Sequence, residues 1–197
     1  GFRQLGNATK SIHVPEDMKG LKWRTTKSPV EFMLVKNWGA VPTPYDWSQL
    51  YTGLQSGVVE GQYVASPWQE VAKLHEVAKY FTEIGGMWSG NILAMDAKQY
   101  NALSSEERKW LHEAADAYGE KVNQLDNAWI KNGEDIIKAS AKEWYVPSEV
   151  ELSKWREGAI GAWLDAKGTF EPDVARRVLQ EQGMDGFVAQ LEKAGAL

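Results

Sequence analysis

Leu21-Lys22-Trp23-Arg24-Thr25, then Ser28-Pro29-Val30-Glu31, then a run through Phe32, Met33, Val35 and Lys36 to Gly39, sets the architecture of this chain. The first five residues alternate apolar and polar like a strand. Ser28 is a helix N-cap residue, proline suits the first helical position, and Glu31 three residues on can reach back to close a capping box. Gly39 is placed to end the helix in a left-handed conformation. Val41-Pro42-Thr43-Pro44 must be extended, because proline removes a ladder donor and keeps its predecessor out of the helical region. Asp46-Trp47-Ser48-Gln49 caps another helix that ends near Gly57.

The same strand-then-cap unit recurs. Glu60-Gly61-Gln62-Tyr63-Val64 reads as a short strand, and Ser66-Pro67-Trp68-Gln69 repeats the helix start ahead of Val71, Leu74, His75 and Ala78. Tyr80–Ile84 and Asn91–Met95 are further strand candidates, separated by Gly85-Gly86-Met87-Trp88-Ser89-Gly90. Strands alternating with helices of about ten residues imply an α/β layer architecture. Beyond residue 95 the pattern turns helical. Ser104-Ser105-Glu106-Glu107 is a capping box, and Leu111, Ala115, Tyr118, Val122, Leu125 and Trp129 then form one stripe of a helix that can exceed 30 residues. Gly119 and Gly133 are candidate bends in it. Trp144–Pro147 reads as a strand, Ser148-x-x-Glu151 caps a helix carrying Trp155, Ile160 and Trp163, and residues 172–194 form two short helices broken at Gly183. The expected division is an α/β ligand-binding lobe over residues 1–95, followed over 96–197 by a long helix and a C-terminal helical segment.

Composition narrows the function. The 197 residues are 43% hydrophobic and 25% charged, the balance of a folded protein rather than a disordered one. A net charge of −5 argues against a nucleic-acid partner, which needs a basic face. No run approaches the roughly 18 apolar residues of a membrane span. The absence of cysteine excludes disulfides, thiol catalysis and cysteine-ligated metals. The phosphate-loop, dinucleotide and nucleophile-elbow patterns are missing, and His13, His75 and His112 are scattered, so neither a cofactor nor a metal is expected. Ten tryptophans are far above ordinary usage; packing is the common role of an indole, and its N–H wants a partner when buried.

The positive signal is Arg24. It ends a predicted strand four residues before a helix start, and ligands of open α/β sheets bind beyond the carboxyl ends of strands. The helix N-terminus adds free N–H groups and partial positive charge, and a guanidinium fork matches a carboxylate. Gln62 and Tyr63, running into Ser66-Pro67-Trp68, would bring an amide and aromatic faces to the same rim. From position alone, a ligand role for Arg24 and a plain ion pair with a nearby Asp or Glu remain equally open.

Three stretches carry a resemblance: Arg3-Gln4 through Val14-Pro15-Glu16-Asp17-Met18-Lys19-Gly20-Leu21-Lys22-Trp23-Arg24; Gly39-Ala40-Val41-Pro42-Thr43-Pro44-Tyr45-Asp46-Trp47-Ser48-Gln49-Leu50-Tyr51-Thr52-Gly53-Leu54-Gln55-Ser56-Gly57-Val58-Val59-Glu60-Gly61-Gln62; and Glu76-Val77-Ala78-Lys79-Tyr80. In that order, with the long helix behind them, they resemble the solute-binding proteins of tripartite ATP-independent periplasmic (TRAP) transporters, the DctP-like family. The resemblance implies a periplasmic-binding-protein-like fold, a periplasmic location, a small organic acid as ligand and membrane subunits as partners. It implies that Arg24 holds the ligand carboxylate, that Arg3 is the second arginine, and that Trp47 packs on the ligand. Where sialic-acid and C4-dicarboxylate-type members carry Gln-Glu-Asn, this chain has Gln62-Tyr63-Val64, so Tyr63 and Trp88 are expected to wall a more apolar or aromatic acid. The resemblance also implies a preceding N-terminal stretch that builds the first lobe. Without it the long helix and the last helices would expose apolar faces, so the expectation is a second chain supplying that part, its removal, or self-association by swapping. Two other readings stay open: a small hydrolase-like or lyase-like enzyme, which lacks any recognisable nucleophile or acid/base pair, and a helical protein-interaction module.

Overall fold

The computed structural model describes residues 1–90 and 92–197. Six strands form one mixed sheet in the order β3-β2-β4-β1-β5-β6, spanning β1 Arg3–Asn7, β2 Lys22–Thr25, β3 Val41–Pro44, β4 Gly61–Ala65, β5 Tyr80–Thr82 and β6 Glu143–Tyr145. β2 runs parallel to both β3 and β4, whereas β1 runs antiparallel to β4 and β5. That reversal positions the site. Arg3, at the start of β1, lies opposite Ala65, at the end of β4, so the first residue of one strand meets the last residues of its neighbours at one rim.

The helices are α1 Pro29–Asn37, α2 Leu50–Gln55, α3 Ser66–Val71, α4 Ala97–Ala102, α5 Ser105–Ser140, α6 Glu149–Asp165, α7 Pro172–Glu181 and α8 Asp185–Ala194. Gly39, Gly57 and Gly183 follow α1, α2 and α7 at positive φ, as their placement predicts. One face of the sheet carries the larger core, where Leu5, Trp23 and Tyr63 pack against Leu34, Val35 and Trp38 around α1 and Trp155 and Ala162 of α6. On the other face Phe81 packs with Ala78, Ile137 and Trp144. α7 and α8 bury Leu179, Phe187, Val188 and Leu191 against Ile160 and Trp163 of α6. Among the described residues no helix is long and apolar enough to cross a membrane.

Several sequence expectations need correction. The helix after Ser66 stops at Val71, because Lys73 turns left-handed at φ 55°, and Leu74–Glu76 form a separate 3₁₀ turn. Residues 92–95 form no strand; Ile92 and Leu93 are strongly exposed, with no sheet face to join, and Asn91 lies outside the described residues. α5 runs as helix for 36 residues through both Gly119 and Gly133. Gly133 instead permits a close approach: a Cβ there would stand 3.0 Å from Pro67 Cα.

The two capping boxes at Ser104 and Ser148 form as read. At the second, Glu151 accepts from Ser148 Oγ at 2.7 Å, from Tyr145 Oη at 2.7 Å and from the Ser148 amide at 2.8 Å. These bonds, the Ser148 hydroxyl foremost, hold the carboxyl at about 2 against its ordinary 4.5. The folded-state value is the lower one, so ionised Glu151 stabilises the fold above about 4.5, and that contribution disappears as pH falls through about 2. A side-chain NMR titration is expected to place the Glu151 midpoint near 2; a midpoint near 4.5 would show that the box is not held in solution.

Candidate functional site

The rim where β1 begins and β2 and β4 end holds a cavity of about 190 Å³ lined by Arg3, Arg24, Thr26, Trp47, Val64, Ala65, Trp68 and Ser89. Arg24, next to last in β2, sits deep in this rim and is only 5% exposed. Its Nε donates to the Tyr45 carbonyl at 3.1 Å, and its guanidinium carbon lies 5.8 Å from the Trp47 ring centroid. Among the described residues no carboxylate pairs with it, and its two Nη groups find no hydrogen-bond partner. Burial pushes its pKa down, partly opposed by Glu31 and further lowered by Arg3. A desolvated guanidinium with both Nη groups unused is a strong anchor for an anion.

The ion pair considered for Arg24 is made by Arg3. Arg3 Nη1 donates to Glu31 Oε1 at 3.3 Å and Arg3 Nε to Ser89 Oγ at 3.2 Å. Glu31 is 2% exposed and also accepts from the Thr26 amide at 3.0 Å and the Thr26 hydroxyl. This corrects the expected capping box: Ser28 is the N-cap of α1 but makes no side-chain cap bond, because Glu31 turns inward toward Thr26 and Arg3.

Trp47 lines the cavity, 40% exposed, on the 3₁₀ turn Trp47–Gln49 that precedes α2. Gln62, Tyr63 and Trp88 lie elsewhere. Strand alternation turns Gln62 to the α3 face, where its amide donates to Gln69 at 2.6 Å and Gln69 in turn donates to the Val64 and Gln4 carbonyls. Tyr63 points to the opposite face, fully buried beside Trp38 at 5.7 Å between ring centroids. Burial raises its phenol well above the ordinary value. Trp88 is 66% exposed and does not line the cavity; its neighbour Ser89 does. Thr26, Glu31 and Ser89 went unread as site residues. Trp68 opens α3 on the rim, as its place in the second strand-helix junction suggests.

Among the described residues the cavity lining offers charge and apolar walls but no acid/base or nucleophilic pair. Among the described residues no group of three His, Cys, Asp or Glu could hold a metal ion. A larger hollow of about 400 Å³ lies far along the chain, between Glu149, Ser153 and Arg156 of α6 and Gly183–Phe187 before and in α8.

Residues 1–168 match the family model for bacterial extracellular solute-binding proteins, family 7 (DctP). A solute-binding protein of Verminephrobacter eiseniae is 33% identical over 185 residues, 92% of this chain and 52% of that protein. The ectoine-binding periplasmic protein TeaA of Halomonas elongata is 29% identical over 94% of this chain and 53% of its own length. The chain thus spans about half the length of these relatives. Among solved structures, a TRAP periplasmic solute-binding protein of Xanthobacter autotrophicus with bound β-D-galacturonate superposes with a TM-score of 0.79 at 19% identity, covering 98% of this chain and 59% of that one. One from Shewanella oneidensis with bound succinate gives 0.78 at 22%, covering 97% and 60%. These neighbours establish the fold, and the family consists of transport proteins rather than enzymes. With an α/β sheet ending in a cavity lined by the Arg24 guanidinium, and a family match over residues 1–168, this chain belongs to the DctP family of TRAP-type solute-binding proteins.

Proposed function

We propose that this chain is the organic-acid-binding part of a periplasmic TRAP receptor that delivers its ligand to membrane subunits. Arg24 takes the ligand carboxylate through its two free Nη groups, Arg3 adds positive potential beside it, and Trp47 covers the bound acid. The observation that carries this reading is the buried Arg24 guanidinium, free of any carboxylate among the described residues and open to the cavity. Binding without chemistry is sufficient: a ligand that contacts a closed arrangement better than an open one shifts the population offered to the membrane partner. Residues 1–95 form the ligand-binding lobe in this reading, and residues 96–197 supply the long helix and the helices that would pack on a first lobe.

A thermal-shift screen of small organic acids tests it. An acid present at 100 times its dissociation constant stabilises the protein by about 2.7 kcal/mol. Silence across carboxylates, with stabilisation only by uncharged compounds, would sink the proposal.

A second reading, self-association or complementation through α5, draws on its exposed face. Trp110, Tyr118 and Leu125 are each more than half exposed, unusual for three large apolar residues on one helix. Size-exclusion chromatography over a range of concentrations decides it; a well-folded monomer throughout would count against self-association.

A further inference from the structure

Trp68 is a cavity wall with little of its own to hold it. Its indole lines the rim cavity and is 44% exposed. Among the described residues the indole N–H groups that find an acceptor are those of Trp38, Trp144 and Trp155, so no hydrogen bond fixes Trp68. Trp47, the other indole of the lining, has the Arg24 guanidinium carbon 5.8 Å from its ring centroid. The ring that meets Trp68 is Trp129 of α5, edge to face, with centroids 5.3 Å apart at 70°. Trp129 itself is not part of the cavity lining. This contact is one half of a grip. Gly133 follows Trp129 by four residues and so shares its helix face. A Cβ on Gly133 would stand 3.0 Å from Pro67 Cα, 3.1 Å from Pro67 N and 3.1 Å from the Ser66 carbonyl carbon, backbone atoms that cannot turn away. α5 thus sets one residue on the Ser66-Pro67 backbone and another on the Trp68 side chain, three consecutive residues where β4 gives way to α3. Val64 and Ala65, at the end of β4, line the same cavity. Edge-to-face packing is directional, because the positive edge of one ring seeks the negative face of the other, so it fixes the tilt of an indole as well as its depth.

We infer that Trp129 is a positioning residue for the ligand site: it holds the Trp68 indole on the cavity wall before a ligand arrives, and Gly133 is the residue that lets α5 come close enough to do so. The inference rests on the binding role proposed for this cavity and adds to it a residue outside the lining. A wall already in place does not have to be ordered on binding. One that swings freely does, and ordering one large side chain costs about 2- to 10-fold in affinity.

Fluorine NMR of protein labelled with 5-fluorotryptophan tests it, with one resonance for each of the ten tryptophans and Trp68→Phe identifying the line of Trp68. In the unliganded protein that line is expected to be single and narrow. A Trp68 line that is broad or doubled, and sharpens only on adding succinate or galacturonate, would overturn the inference, a reading that needs no change in α5. Trp129→Leu keeps apolar bulk at the contact and removes the ring. It is expected to shift and broaden the Trp68 line and to weaken binding by about 2- to 10-fold, read by calorimetry with succinate, galacturonate and any further acid that the thermal-shift screen returns. Trp129→Phe restores a ring and is expected to recover most of both effects. A purely structural Trp129 would lower the melting temperature and leave the Trp68 line and the affinity as they were, and that result would overturn the inference alone. Failure of every carboxylate, with the Trp68 line behaving as expected, overturns the binding role proposed for the cavity and leaves Trp129 a packing residue.

Discussion

Arg24→Ala is expected to weaken carboxylate binding by about 30-fold or more, because truncating one side of a buried charge pair costs about 2–5 kcal/mol. The fold should hardly notice. In the unliganded protein the Arg24 side chain makes one hydrogen bond, to the Tyr45 carbonyl, and the loss of one such bond costs about 1 kcal/mol. Removing the residue also relieves the desolvation that lowers its pKa. Arg24→Lys separates charge from shape: it keeps the charge, loses the planar fork, and should fall between wild type and alanine. Calorimetry with an acid found in the thermal-shift screen, alongside a melting curve, reads both quantities. Undiminished affinity in Arg24→Ala would remove the arginine from the site.

The largest stability effect is expected at Trp155. This residue of α6 is 3% exposed and meets Trp38 edge-on, with ring centroids 5.1 Å apart at 89°. The contact is hydrogen-bonded at both ends. Trp155 Nε1 donates to the His13 carbonyl at 3.1 Å, and the Trp155 carbonyl accepts from Trp38 Nε1 at 3.1 Å. Trp155→Ala opens a large cavity between sheet and helix and leaves the His13 carbonyl without its partner, a loss of about 3–5 kcal/mol. Trp155→Phe restores most of the volume but not the N–H and should lose less. Urea unfolding measures both; a loss below about 1 kcal/mol for alanine would mean that α6 is not anchored through this contact.

The local grammar of this chain was readable where a signal acts within a few residues. Ser104 and Ser148 close their boxes, and Gly39, Gly57 and Gly183 end helices, because each depends on its own turn of backbone. The 36-residue helix was legible from its stripe for the same reason. Glu31 shows the limit. Its place three residues after Ser28 reads as a cap, but its partner is Arg3, 28 residues away in sequence and brought near only by the antiparallel course of β1. Gln69 repeats the lesson, turning from its expected cap toward Gln62 and two strand carbonyls. Tyr63 and Gln62 were assigned to the rim by proximity in sequence to its end. Strand alternation sends one to each face below it, and the period of two that marks β4 as a strand does not say which face adjoins a cavity. Arg24 and Trp47 reach the cavity as their motifs suggest; the pairing of Arg3 with Glu31 beside it is a tertiary fact.

The packing of α5 has a mechanical consequence. Its buried residues, Gly133 and Ile137, both lie in its last three turns, with Gly133 against the backbone of Pro67 in α3. α3 in turn starts at the end of β4 and places Trp68 on the cavity wall. At about 1.5 Å per residue, Ser105 stands about 42 Å from that crossing, so a tilt of about 5° there carries the far end through about 4 Å. A fulcrum beside the cavity and a long arm beyond it give α5 the proportions of a lever, in which a small adjustment at Trp68 would become a displacement on the scale of a side chain.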